Sequence, residues 1–155
     1  MNRRLFLLAV PGTFVALRAG AHHGWSSFDE TQAFYFEGKV GALRWQNPHA
    51  EADLEVAAGL ALPAELARLD VPAQQATVDA ARILGGAKPA PRAGLWTCEL
   101  APLTRIAAWQ VPEPRVGDRL AVVGYIRPQS PELRMRAEFV IADGRVYPLR
   151  SLPAG

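Results

Sequence analysis

The sequence predicts a mostly β protein, a small OB-like barrel of five strands with a short helix between the third and fourth strands. Three observations predict it. Strand-length segments show alternating apolar residues, glycine and proline punctuate the gaps between them, and the order is three strands, a helix, two strands and a terminal hairpin. A small β-sandwich is the alternative, because alternation marks two faces without showing that a sheet closes.

The first strand is expected from Phe34 to Trp45, with Phe34, Phe36 and Val40 on one face and with Gly38 and Gly41 marking a bulge or sharp bend. Asn47-Pro48 then turns the chain into a strand over Ala50 to Val56, where the acids Glu51, Asp53 and Glu55 alternate with Ala52, Leu54 and Val56 and form the wet face. A third strand, Leu95 to Leu100, sets Trp96, Cys98 and Leu100 on one face and Thr97 and Glu99 on the other. Pro102 to Trp109 reads as a short helix. Arg119 to Ile126 and Leu133 to Ala142 are the last long strands; in the second, Met135, Ala137, Phe139 and Ile141 point inward and Arg134, Arg136 and Glu138 outward. Asp143-Gly144 makes a hairpin turn into a final short strand at Val146 to Leu149.

Residues 57–94 break this rhythm, being rich in alanine and carrying Pro63, Pro72, Pro89, Pro91 and the pair Gly85-Gly86. They read as a partly helical insertion, with short helices over Leu62 to Leu69 and Pro72 to Leu84 and a mobile, extended return over Ala87 to Gly94.

Residues 1–21 read as a cleavable signal peptide. Arg3-Arg4 precedes an uncharged, largely apolar run from Leu5 to Leu17, and Ala19-x-Ala21 supplies the small residues that a signal peptidase requires. Asn2-Arg3-Arg4-Leu5-Phe6-Leu7 also fits a twin-arginine signal. The expected location is therefore periplasmic or secreted. The apolar run is too short to span a bilayer and contains Pro11-Gly12, so no stable membrane anchor is expected after cleavage. The remainder, residues 22–155, is long enough for one domain with its own core.

Cleavage changes the charge. The whole chain has 17 basic and 15 acidic residues, and the leader removes Arg3, Arg4 and Arg18 but no acid, which leaves a formal balance of −1. No nucleic-acid partner follows from that balance, and the local cluster Arg127, Arg134 and Arg136 reads as a solvated strand edge. A single cysteine, Cys98, excludes an internal disulfide and reads as core. Nucleotide-binding glycine loops, serine nucleophile elbows and paired zinc-ligand motifs are absent from the sequence.

Chemistry concentrates in three histidines, His22, His23 and His49. Cleavage after Ala21 gives His22 a free amine, and an N-terminal histidine can chelate one ion through that amine and its own Nδ1. Planar nitrogen donors suit Cu(II), so copper is the expected cofactor, with other transition metals as alternatives. His49, in the Asn47-Pro48-His49 turn, supplies a further imidazole if the fold returns it to the N-terminus, and His23 is an additional ligand or a neighbour. The competing readings are a disordered terminus for His22 and His23 and a backbone-bonded turn residue for His49. Asp29 and Glu30 either orient an imidazole or cap a turn. Cys98 and Met135 do not share a ligand loop with a histidine, which argues against a blue-copper centre.

His22-His23-Gly24-Trp25 with Phe28-Asp29, Phe36-x-Gly38-x-Val40, Trp45-x-Asn47-Pro48-His49, Gly117-Asp118 with Val122-x-Gly124, and Ala142-Asp143-Gly144-Arg145 together resemble a widespread family of small exported bacterial proteins of unassigned function. The resemblance covers most of the chain after the leader and implies export and a single domain. It departs at Gly24, where that family usually has serine, and at 57–94, where it usually has a short hairpin. No activity is implied, and catalysis is not the favoured reading. The alternative to a metal-binding protein is a non-catalytic barrel that uses a strand face and Trp25, Trp45 and Trp109 to hold a peptide, glycan or partner protein.

Overall fold

The computed structural model describes residues 25–128 and 130–155, so the expected leader and the ligand candidates His22 and His23 lie outside the described residues. The described residues contain seven strands: β1 (Phe34–Arg44), β2 (Glu51–Val56), β3 (Lys88–Pro89), β4 (Gly94–Glu99), β5 (Arg119–Ile126), β6 (Arg134–Ala142) and β7 (Arg145–Pro148). Two short helices accompany them, α1 (Ala80–Gly85) and α2 (Leu103–Trp109).

Pairing runs β1–β2–β4–β6–β5 and returns to β1, with β4 and β6 parallel and the other barrel pairs antiparallel. The sheet therefore closes into a five-stranded OB-like barrel, and the sandwich is excluded. β7 extends β6 through the Asp143-Gly144 turn, and β3 lies parallel to the start of β1.

Closure depends on sharp curvature in β1. The register slips between Val40 and Ala42, leaving Gly41 as the extra residue of a bulge. At Gly38 a Cβ would lie 2.5 Å from the Glu55 carbonyl oxygen, so only glycine lets β2 approach there. Phe36, Val40, Leu54, Trp96, Cys98, Val122 and Met135 fill the interior, and Ile106 of α2 is part of the same cluster. Complete burial raises the Cys98 thiol pKa well above its ordinary value and keeps it an inert core residue.

β6 departs from the expected alternation. Val123 pairs with Phe139 but its neighbour Gly124 pairs with Ala137, so Glu138 is an extra residue in a second bulge. Past it the two faces exchange. Met135, Ala137 and Val140 belong to the barrel interior, whereas Phe139 and Ile141 pack outside. Arg136 and Glu138 do point away from the interior, yet they are 5% and 0% exposed, because other segments cover them.

Those segments form a second apolar layer on the outer face of the barrel. Tyr35, Val123, Tyr125 and Phe139 from the strands pack with Phe28 and Ala33 before β1 and with Leu66, Ile83, Leu84 and Ala87 from the insertion. The insertion is thus a lid over one barrel wall. Its helical content is smaller than expected: Leu66–Arg68 is a single 3₁₀ turn, and α1 begins only at Ala80, where Asp79 accepts a hydrogen bond from the Arg82 amide. Upstream, Gln74 bridges Pro153 of the C-terminal tail, a pairing that competes with helix. Nor is the return segment loose, since Lys88 and Ala90 donate their amides to the Ala33 and Tyr35 carbonyls.

This layer predicts that Leu66→Ala, at a position 2% exposed, destabilises the whole protein by about 2–4 kcal/mol, the usual range for a buried leucine truncation. Urea unfolding measures it. A loss below about 0.5 kcal/mol, typical of surface positions, would show that the insertion is not part of the cooperative core.

Candidate metal centre

The site is built from the turn that joins β1 to β2. Asn47-Pro48 is a cis peptide, and the Asn47 side-chain oxygen accepts from the Leu103 amide at 3.3 Å, which ties the turn to the start of α2. Reciprocal backbone bonds fix the next residue: Ala50 donates to Ala101 at 3.0 Å and Leu100 to Ala50 at 2.8 Å. His49 is held between these anchors with its side chain 30% exposed.

A line of charged groups runs from His49 to the segment before β1. Nδ1 of His49 lies 3.3 Å from Oε1 of Glu99, and Nη1 of Arg136 lies 3.5 Å from the same oxygen. The Arg136 guanidinium in turn lies over the Trp25 ring, 4.4 Å from its centroid, and Arg150 lies against that ring at 3.6 Å. Arg150 then bridges Glu138 and Glu30, 2.6 Å from each. Tyr125 meets the Trp25 ring edge-on, with centroids 6.3 Å apart.

Burial lowers the His49 pKa below its ordinary 6.5; Glu99 opposes that shift, and Arg136 and Arg105 reinforce it. The imidazole is therefore neutral at pH 7. A carboxylate beside Nδ1 favours the proton on that nitrogen, which leaves the Nε2 lone pair for a ligand. Among the described residues no three His, Cys, Asp or Glu side chains converge as a complete metal-binding group.

Residues 12–130 match the model of DUF6152, a family of unknown function. The chain belongs to this family. No curated protein and no solved structure matches it. The DUF6152 match takes in His22, His23, Trp25, His49 and the insertion, and stops before β6, so Arg136, Glu138 and Arg150 lie beyond it. Among the described residues of this DUF6152 chain, no helix is long and apolar enough to cross a membrane.

Of the three histidines, the described residues include only His49. Asp29 takes the turn-capping role, accepting from the amide and hydroxyl of Thr31 at 2.9 and 2.5 Å, while Glu30 serves Arg150. The tryptophans have separate surroundings. Trp96 is core, Trp45 packs half-buried against the core, and Trp109 donates to the Ser151 carbonyl at 2.8 Å. Arg127, Arg134 and Arg136 are separated by role: Arg134 pairs with Glu51 at 2.7 Å, and Arg136 lies beneath Trp25. Sequence reading missed Glu99 as the neighbour of His49 and Arg150 as the strut under Trp25. Their alternation and tail position signal only outward-facing charge.

The depressed His49 pKa fixes a pH dependence. The unfolded chain binds a proton near 6.5 and the folded chain only below that, so the neutral imidazole contributes stability above about 6.5 that is lost as pH falls through the folded value. An NMR titration, with the resonance assigned by its loss in His49→Gln, is expected to give a midpoint below 6.5, and Glu99→Gln is expected to lower it further. A midpoint above 6.5 in the native protein would contradict the geometry.

Proposed function

We propose that this protein is exported to the periplasm and binds copper through the mature N-terminal histidine and His49. The His22 amine and imidazole chelate the ion, His49 adds an imidazole through Nε2, and His23 is a further ligand or a neighbour. One observation carries the reading: the charged line that orients His49 through Glu99 ends on Trp25, three residues after His22. Three residues of chain reach at most about 10 Å, and this short spacing from Trp25 supports a site shared by the N-terminus and His49. Glu99 plays the part that carboxylates commonly play behind metal-ligating histidines, fixing the tautomer and ring direction.

Cu(II) titration, followed by the d–d absorbance and by electron paramagnetic resonance, tests this with three proteins. They are the chain with a verified His22 terminus, the same chain with one extra N-terminal residue, and His49→Ala with the native terminus. The expected result is tight one-to-one binding by the first and more than about tenfold weaker binding by the other two, since even the loss of a partner behind a metal ligand commonly costs that much. Equal tight binding by the extended form would remove the amine from the site. Absence of binding by all three would remove the metal reading and leave the barrel as a module for a peptide, glycan or protein partner.

A further inference from the structure

A second site lies on the other side of the Arg150 strut and rests on none of the metal chemistry. Two adjoining hollows, of about 250 and 420 Å³, open between the turn before β1 and the segment leading into α1. They share Glu30, Arg82, Ile83 and Tyr125 as lining. The cleft is a built feature, since the Gln32 side-chain amide donates to the carbonyls of both Ala33 and Gly86 at 2.8 and 2.9 Å and so stitches the two walls together.

Tyr125 is the telling residue. It is 3% exposed, it lines both hollows, and its hydroxyl makes no hydrogen bond among the described residues. The ring is buried while the residue borders the cleft, where the phenol can donate to a ligand. Burial, with Glu138 and Glu30 nearby, pushes its pKa up to about 12, so it stays protonated. Around it both signs of charge are available. The Arg82 side chain is 70% exposed and its Nε lies 3.9 Å from Asp79, a loose pairing that leaves most of its donors open. Glu30 engages Arg150 through Oε2, and its Oε1 has no hydrogen bond among the described residues. Ile83 adds apolar surface.

A plain anion would satisfy Arg82 and Tyr125 but sit beside Glu30, and a plain cation would do the reverse. We propose that the cleft binds a small zwitterion, a free aliphatic α-amino acid, whose carboxylate meets Arg82 and the Tyr125 hydroxyl and whose ammonium meets Glu30. The aliphatic side chain then lies on Ile83. A carboxylate is the group a guanidinium fork holds best, and the hollows are of the size used for small ligands.

The test uses L-leucine, N-acetyl-L-leucine, which lacks the ammonium, and L-leucinamide, which lacks the carboxylate, each titrated into copper-free protein by calorimetry and amide NMR. L-leucine is expected to saturate shifts at Gln32, Ile83 and Gly86, and the two blocked forms to bind at least about tenfold more weakly, as the loss of a charge-assisted contact implies. Tyr125→Phe is expected to weaken leucine binding about tenfold without lowering the melting temperature, because the hydroxyl it removes supports nothing in the fold. Arg82→Ala, at an exposed position, provides a second folded variant with the same loss. The proposal is overturned if leucine gives no saturable response, if N-acetyl-leucine binds as well as leucine, which would mark a simple anion site, or if Tyr125→Phe binds leucine undiminished.

Discussion

Glu138 sits at a bulge on the outer face of a barrel strand, yet none of it reaches solvent. The bulge interrupts the ladder between β5 and β6, and the chain end holds its residue along the other edge of β6. Leu149 donates its amide to the Glu138 carbonyl at 2.8 Å, and Arg150 grips the carboxylate through Nε and Nη2 at 3.0 and 2.6 Å. Burial raises the Glu138 pKa above its ordinary value, against the pull of Arg150. For Arg150 burial acts the other way, but hydrogen bonds to Glu138 and Glu30 outweigh it and hold the guanidinium above its ordinary value. Taking two ions from water costs several kcal/mol each, and only this bidentate geometry offsets it. Removing Arg150 would strand the buried Glu138 carboxylate, so the C-terminal tail is tied to the barrel by more than its apolar contacts.

Once Arg150 is fixed there, the parts outside the barrel find their places. Its guanidinium is a platform for Trp25 and a partner for Glu30, which sets the path of the chain into β1. The tail that follows meets the insertion, with Ser151 accepting from the Ala76 amide and donating to the Gln74 side chain. The N-terminal segment, the insertion and the C-terminal tail, which are distant in sequence, thus share one support. The second apolar layer packs over Tyr35, Val123, Tyr125 and Phe139 because the N-terminal segment and the insertion cover them together.

The barrel was legible because its strands carry their own signal. In β2, β4 and β5 every second side chain is apolar, and the interior contains the residues that alternation selects, from Ala52, Leu54 and Val56 to Leu120 and Val122. Gly41 marked its bulge because glycine stands out in a strand. The Glu138 bulge left no such mark. Phe139, Val140 and Ile141 are all apolar, so either face fits the pattern, and only the paired strand decides which turns inward. Burial of Arg136, Glu138 and Glu99 was illegible for a related reason: the residues that cover or pair with them come from far along the chain. The same holds for the site, where Asn47-Pro48-His49 is a visible turn but its carboxylate neighbour is set by the pairing of β2 with β4.

The two proposed sites stand on either side of one strut, and this raises the matter of coupling. Arg150 touches Trp25 toward His49 and Glu30 toward the amino-acid cleft. A shared residue transmits free energy between sites only if it has two arrangements that each ligand biases differently. Arg150 is held at Glu138 by three hydrogen bonds to a fully buried carboxylate, and swinging away would leave that charge without its partner. The cost of a buried, unpaired carboxylate exceeds the 1–3 kcal/mol that coupling between sites commonly involves. The strut is therefore a rigid support, and the two proposed sites are expected to act independently of each other.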